Sequence, residues 1–203
     1  MGNFDDLEEM KNKAVEFAKL LTQFELTYAP LRDDLSFSIQ QWHVAKKSPF
    51  WSRTSIRCLC AAVEAALFGY RKTAERMGDL SKTKFDPDES EILSGIQIRK
   101  GVQKPKWLSP GDSVKESFRL FGKAVGCSVV VNYGEAGFSD LCDTFKVRNR
   151  LMHPKEPLDV TVNAKDIETA DRAISWFNKT FASVIEQCQV QIDKKVKSLK
   201  KQQ

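Results

Sequence analysis

Apolar residues recur every three or four positions along most of this chain, and that spacing limits the fold more than any other feature. From Ser52 to Met77 the positions Ile56, Leu59, Cys60, Val63, Leu67 and Tyr70 share one helical face. The run Cys60-Ala-Ala-Val-Glu-Ala-Ala66 along it leaves a seam that a second helix can approach closely. A longer helix is predicted from Asn163, whose side chain suits an N-cap, to about Leu199, through Ile167, Ala170, Ile174, Phe177, Phe181, Val184, Ile185, Cys188 and Ile192. Asp5 to Thr27 keeps the same period at Leu7, Met10, Ala14, Phe17, Ala18, Leu21 and Phe24, and Pro30 is expected to end it. Leu31 to Val44 is ambiguous: Leu35, Ile39 and Trp42 fit a helix, Leu35, Phe37 and Ile39 alternate as in a strand, and helix is the better match. The expected class is all-α, a helical bundle in one domain over 1–203 with an added helical pair at 1–49.

Asp79 to Gly111 interrupts that framework. Pro87, Gly95, Gly101, Pro105, Pro110 and Gly111 break any long helix, and Ile92-Leu-Ser-Gly-Ile-Gln-Ile98 followed by Arg-Lys-Gly predicts a short hairpin inside a loop-like insertion. Arg99, Lys100, Lys104 and Lys106 with Trp107 suit phosphate contact and base stacking, although a solvated loop with a tucked tryptophan has the same sequence signature. Lys46-Lys47-Ser48-Pro49 reads as a turn, and Ser113 to Val125 as a helix capped by Asp112 or Ser113. Cys127 to Tyr133 reads as a strand or a buried extended linker, and Leu158 to Val162 as extended.

Phe138 to Pro154 holds the only dense group of reactive side chains. At ~100° per residue, Phe138, Leu141, Cys142, Phe145 and Met152 make an apolar stripe, with Asn149 inside it and Arg148 and His153 just beyond its edges. Ser139 or Asp140 suits its start, and Pro154 ends it, leaving His153 in the last turn with its ring free to project. Polar groups aimed at a buried face need partners there, so the helix is expected to deliver them to a cleft or an interface. Glu64, on the Ala-rich helix, flanks the seam; facing water is the simpler expectation, and pairing with an arginine of a neighbouring helix the alternative.

Several functional classes drop out. The five cysteines never form a C-x-x-C pair, and two histidines, His43 and His153, give no transition-metal spacing, so neither a metal nor a disulfide framework is expected. His43 beside Trp42 reads as a packed or surface residue. No glycine-rich phosphate loop or serine-hydrolase elbow calls for a cofactor. No apolar run approaches ~18 residues and no signal-peptide pattern is present, so a cytoplasmic protein off the membrane is expected. The net charge of +5 is unevenly spread: Asp5, Asp6, Glu8 and Glu9 open the chain, and Lys194, Lys195, Lys197, Lys200 and Lys201 close it in a basic tail over 193–203.

The focal residues suit one reaction in particular. A ribose 2′-OH attacks its own phosphodiester when a base working near neutral pH takes its proton and a fixed cation steadies the phosphate. His153 suits the first role and Arg148, able to grip two phosphate oxygens, the second. Asn149, four residues before His153, can orient the imidazole or hold substrate.

Arg148-Asn149-Arg150-Leu151-Met152-His153 resembles the signature of the HEPN superfamily, an Arg followed by a polar residue and, after four to six intervening residues, a His. The likeness covers about Ser52 to Ile192, with the motif closing a helix, a long helix after it and the Glu64 helix before it. The resemblance implies a core of four or five helices that dimerises so that the Arg and His of both subunits face one groove. It also implies, in many members, a metal-independent endoribonuclease, with other members acting as non-catalytic modules that bind RNA, nucleotide or a protein. On that footing Arg148, His153 and Asn149 are the catalytic candidates, Arg150, Lys146 and Lys155 the RNA contacts, and Glu64 a supporting residue. An antitoxin or defence-system partner is also implied. One departure is Lys155, which stands where members paired with a nucleotidyltransferase antitoxin often carry tyrosine.

Overall fold

The computed structural model describes residues 2–45 and 48–200. Among them are six α-helices, a two-stranded hairpin and a 3-10 turn, in the order α1 (Gly2–Val44), α2 (Pro49–Ser81), α3 (Pro87–Ser94), β1 (Ile96–Arg99), β2 (Val102–Pro105), α4 (Pro110–Val125), α5 (Ala136–Met152), the 3-10 turn Pro157–Val160, and α6 (Ala164–Lys200). The all-α expectation holds at that level, and among the described residues no helix is long and apolar enough to cross a membrane. Lys46, Lys47 and Lys201 lie outside the described residues, as do the side chains of Asp5, Asp6, Leu7, Glu9, Met10, Ala14, Phe17, Leu21, Lys195, Leu199 and Lys200.

Two compact units share these elements. The first comprises Met1–Glu25, Leu67–Val130 and Ala182–Gln203, the second Leu26–Ala66 and Val131–Phe181. In the first unit Tyr70 of α2 is a hub: its ring meets Phe118 at 5.3 Å and Phe121 at 4.5 Å, both edge-on from α4. The α4 core positions Val114, Phe118, Leu120, Phe121 and Ala124 are buried as their spacing predicts. Its cap lies earlier than expected: Ser109 Oγ accepts from the Asp112 N–H at 3.1 Å, because Pro110 is preset for the first helical position and moves the start upstream. Over 127–133 the chain is irregular, neither a strand nor a buried linker, with Ser128, Val130 and Asn132 exposed. The side-chain amide of Gln187 takes the role of a strand neighbour, accepting from the Val130 N–H at 2.8 Å and donating to its carbonyl at 3.0 Å.

The insertion is more ordered than a loop. Asp86 and Glu89 form a reciprocal capping box that starts α3, and Gly95, at φ 74°, ends it in the left-handed conformation that glycine tolerates. Ile92, Leu93 and Ser94 therefore belong to α3, with Ile92 and Leu93 buried, and the hairpin begins at Ile96.

In the second unit, α2 and α5 supply the core through Ile56, Leu59, Cys60, Val63, Leu141, Thr144, Phe145 and Leu151, joined by Ala173, Trp176 and Phe177 of α6. Pro30 does not break α1 into the expected pair. The carbonyl that loses its helical donor there is that of Leu26, an exposed residue, so the missing bond falls where solvent is near and costs less than it would in the core. The α5 start also precedes the expected Ser139 or Asp140 cap: Glu135 is the N-cap, and Gly137 lies within the first turn. That glycine serves packing, because a Cβ there would stand 2.3 Å from Trp176 Cβ. Asn163 does start α6, accepting from Asp166 N–H at 3.0 Å while Asp166 Oδ2 accepts from Asn163 N–H at 3.0 Å. The stretch before it, read as extended, turns at Pro157–Val160 because Asp159 Oδ2 gathers the Lys155 and Glu156 N–H groups at 2.7 and 3.2 Å.

Candidate functional site

The buried face of α5 is rotated from the predicted stripe. Leu141, Thr144, Phe145, Val147 and Leu151 are buried, whereas Met152 is 51% exposed. Thr144 enters the core because its hydroxyl donates to the Asp140 carbonyl at 2.8 Å, which removes the cost of burying it. With Thr144, Val147 and Leu151 on the core side, Arg148 falls inside the buried arc at ~100° per residue and Asn149 outside it, the reverse of the sequence reading. Asn149 and His153 are both exposed.

Arg148 is the best-held of the candidates. One Nη donates to Glu64 and the other to Asn149 Oδ1 at 3.1 Å, while its guanidinium carbon lies 5.6 Å from the centre of the Phe145 ring. Its side chain is 24% exposed, so the cation stands half-buried with a fixed orientation. Glu64 thus takes the pairing alternative rather than simply facing water, and it is reached because α2 and α5 meet along Arg57, Cys60 and Glu64. Cys60 lies beside this pair, but burial, outweighing the nearby Arg148 charge, pushes its thiol up to about 12, which makes it a packing group and not a nucleophile.

His153 closes the helix as its C-cap, its backbone N–H donating to the Asn149 carbonyl at 3.0 Å. Its ring is solvent-facing, and five residues of helix separate it from Arg148, roughly 7.5 Å of rise. The hydrogen bonds of the Arg148 guanidinium go to Glu64 and Asn149, and none joins it to His153.

Arg150 has the opposite character. It donates to the carbonyls of Asp159, at 2.8 Å, and Thr161, and to Asp166 Oδ2 at 2.7 Å, clamping the last turn of α5 to the loop after it and to the start of α6. The sequence reading gave it to RNA; here its donors are taken inside the chain. Asp159 completes the clamp, with the Lys155 and Glu156 N–H groups and the Arg150 charge holding its carboxyl below the usual carboxylate range. Lys146 is exposed and paired with Asp143 at 2.7 Å, and Lys155 is exposed, with only its backbone N–H bonded.

The residue that sequence reasoning missed is Arg57. Its Nη2 donates to the Leu151 carbonyl at 3.1 Å, satisfying an orphan acceptor at the negative end of the α5 dipole. A cation on the α2 face, seven residues before Glu64, was the available signal. Elsewhere in this unit His43 packs on Trp42 at 4.8 Å and lines a cavity of ≈ 20 Å³ with Ser55, Asp171 and apolar neighbours. That volume suffices for about one water molecule. Among the described residues no group of three or more His, Cys, Asp and Glu side chains is placed to hold a metal ion.

Compared with known proteins, the chain matches no family model, no curated protein and no solved structure.

Proposed function

We propose that this chain is a metal-independent endoribonuclease of the HEPN type that works as a homodimer. The observation that supports the reading best is the contrast at the end of α5: a guanidinium fixed in a half-buried position by Glu64 and Asn149, and an imidazole exposed at the helix terminus. Arg148 steadies the scissile phosphate, and its preorganisation means little is lost in ordering it on binding. His153 of one subunit takes the 2′-OH proton, the 2′-oxygen attacks phosphorus, and His153 of the partner subunit protonates the departing 5′-oxygen, leaving a 2′,3′-cyclic phosphate and a 5′-hydroxyl. Two copies are required because each chain supplies one such histidine. An antitoxin or defence partner that covered the groove would silence it.

A second reading is favoured by the Glu64 pair itself. A carboxylate already on Arg148 suits a module that binds RNA, nucleotide or protein without cleaving, in which Arg148 positions helices as much as ligand. Cleavage of mixed cellular RNA in EDTA, with molecular mass in solution measured on the same samples, separates the two. The nuclease reading expects a dimer whose activity is lost in His153→Ala and Arg148→Ala. Unchanged cleavage in His153→Ala refutes the assignment, and abolition by chelator refutes the metal-free route. Binding without cleavage under any condition, weakened by Arg148→Ala, establishes the second reading.

A further inference from the structure

The stretch from Leu35 to Val63 contains no Asp or Glu, and Arg53 and Arg57 both lie in it. On α2 these two share a face with Phe50 and Glu64: at ~100° per residue the four positions fall within about 60° of one another. Helix α5 covers only one end of that face. Arg148 meets Glu64, the Leu151 carbonyl accepts from Arg57, and α5 stops at Met152. Arg53 lies one turn beyond Arg57 and Phe50 two turns, roughly 6 and 10 Å along the helix, and Phe50 is 57% exposed.

The pairing of the arginines sets this face apart. In the same unit Arg148, Arg150 and Arg172 are each bound to a carboxylate, Glu64, Asp166 and Asp140 in turn. Among the described residues Arg53 and Arg57 pair with no carboxylate, and Arg57 commits one Nη to the Leu151 carbonyl while its other donors stay open. The support is firm. Ser52 Oγ accepts from Trp42 Nε1 of α1 at 2.8 Å and donates to the Ser48 carbonyl at 3.1 Å, and Phe50 rests edge-on against Trp51 with ring centres 5.0 Å apart. Two guanidinium groups without counter-ions beside a braced, exposed ring match the phosphates and the bases of a single strand. An acidic peptide would satisfy the arginines but has no planar groups for the ring. The β1–β2 hairpin lacks this arrangement. Trp107 is 83% exposed there and not tucked, but Arg99 and Lys106 pair with Glu91 of α3, and alternation puts Arg99 and Lys104 on the face away from Ile96 and Ile98.

We propose that the uncovered face of α2 carries the substrate strand away from the end of α5, with phosphates paired to Arg57 and Arg53 and an unpaired base stacked on Phe50. The inference rests on the reading of Arg148 and His153 as an RNA site, which it extends by naming the substrate as single-stranded. Arg57 joins the two regions, because the carbonyl it holds lies two residues before His153.

Fluorescence anisotropy of labelled 2′-O-methyl oligouridine tests it, since that strand has no 2′-OH to attack and binding is read without cleavage. The same strand annealed to its complement serves as the duplex. The full chain is compared with Phe50→Ala, Arg53→Gln, Arg57→Gln, Arg57→Lys and Arg148→Ala. The wild type binds the single strand more tightly than the duplex, whose bases cannot reach the ring. Phe50→Ala weakens binding about five- to a hundred-fold at an unchanged salt slope. Each glutamine variant weakens binding and flattens the slope of log affinity against log salt by ~0.7, and Arg57→Lys restores it. A purely structural Arg57 would leave that slope alone. Glutamine at 57 keeps a donor for the Leu151 carbonyl, and Arg53→Gln repeats the test at a side chain that makes no hydrogen bond among the described residues. Wild-type affinity and slope in Phe50→Ala and both glutamine variants, with binding weakened by Arg148→Ala, overturns this surface and leaves the α5 site standing. Loss in the α2 variants with none in Arg148→Ala supports the α2 surface and overturns the role given to Arg148. No binding of the single strand, equal affinity for the duplex, or capture of phosphatidylserine vesicles or a protein partner in place of RNA overturns the proposal.

Discussion

Glu89→Gln offers the sharpest measure of how the hairpin's base is held. The Glu89 side chain is 6% exposed. Burial alone would raise its carboxyl, but donors from Lys123, Arg119 and the Asp86 N–H outweigh burial and bring it from 4.5 to about 2. At 1.36 kcal/mol per unit, that difference amounts to about 3 kcal/mol of folding stability. Arg119 and Lys123 are 49% and 37% exposed, so solvent screening reduces the realised figure to roughly 1–3 kcal/mol. Because the folded value is the lower one, the contribution is complete above pH 4.5 and disappears as pH falls through about 2. Glutamine keeps the shape and an acceptor for the Asp86 N–H, and it removes the charge. Urea unfolding of both proteins from pH 7 down to the acid limit of the folded state should show the variant less stable by roughly 1–3 kcal/mol at neutral pH, with the gap narrowing below pH 4.5. A gap under about 0.5 kcal/mol at pH 7, or one that keeps its size down to pH 2, would refute the account of Glu89 as a charge-held anchor.

Three further outcomes follow from the second unit. Gly137→Ala places a Cβ 2.3 Å from Trp176 Cβ, so overpacking should outweigh the gain in helix propensity and lower stability by about 1–3 kcal/mol in a thermal melt; a stabilised variant would contradict the close approach. Ser55 Oγ is the one buried side-chain polar atom without a partner among the described residues, so Ser55→Ala should be neutral or stabilising by up to ~1 kcal/mol, and a clear loss would mean the hydroxyl is bonded. Arg150→Ala removes the donors to Asp159, Thr161 and Asp166, and should cost about 2 kcal/mol and speed amide exchange over 155–162; unaltered exchange there would show that the clamp is idle.

The helices were legible because their burial follows a period that sequence displays directly, as in Ile56, Leu59, Cys60 and Val63. What failed was punctuation. Pro30 looks like a break and Ser139 or Asp140 like a helix start, yet α1 runs through the proline and α5 already includes Gly137, where Trp176 needs room, and that close approach is not local in sequence. On α5 the apolar stripe was misplaced because Met152 was counted as core and Thr144 was not, and burial of Thr144 depends on a hydrogen bond that only the folded helix makes. That rotation decided the fate of the candidates. It turned Arg148 inward toward Glu64 and Asn149 outward, and Arg150 met acceptors that lie 9, 11 and 16 residues further along the chain. The types of the reactive residues could be read from sequence, but not their partners, since those depend on which helix lies alongside.

Magnitudes also decide whether the Glu64 carboxylate obstructs the proposed chemistry. Glu64 is 53% exposed, and a pair so placed contributes only about 0–1 kcal/mol in water. A phosphate that brings a charge-assisted, two-point contact to Arg148 competes with it on favourable terms. Glu64→Gln keeps an oxygen for Arg148 to bond and removes the competing charge, so the guanidinium stays in place with its full charge available to a phosphate. Measured in the cleavage-silent His153→Ala background, RNA affinity should rise by up to about five-fold while the melting temperature moves by no more than a few degrees. A fall in affinity with stability unchanged would mean that Glu64 holds Arg148 in a pose the amide cannot reproduce, and that the carboxylate belongs to the site as its positioning group and not as its competitor.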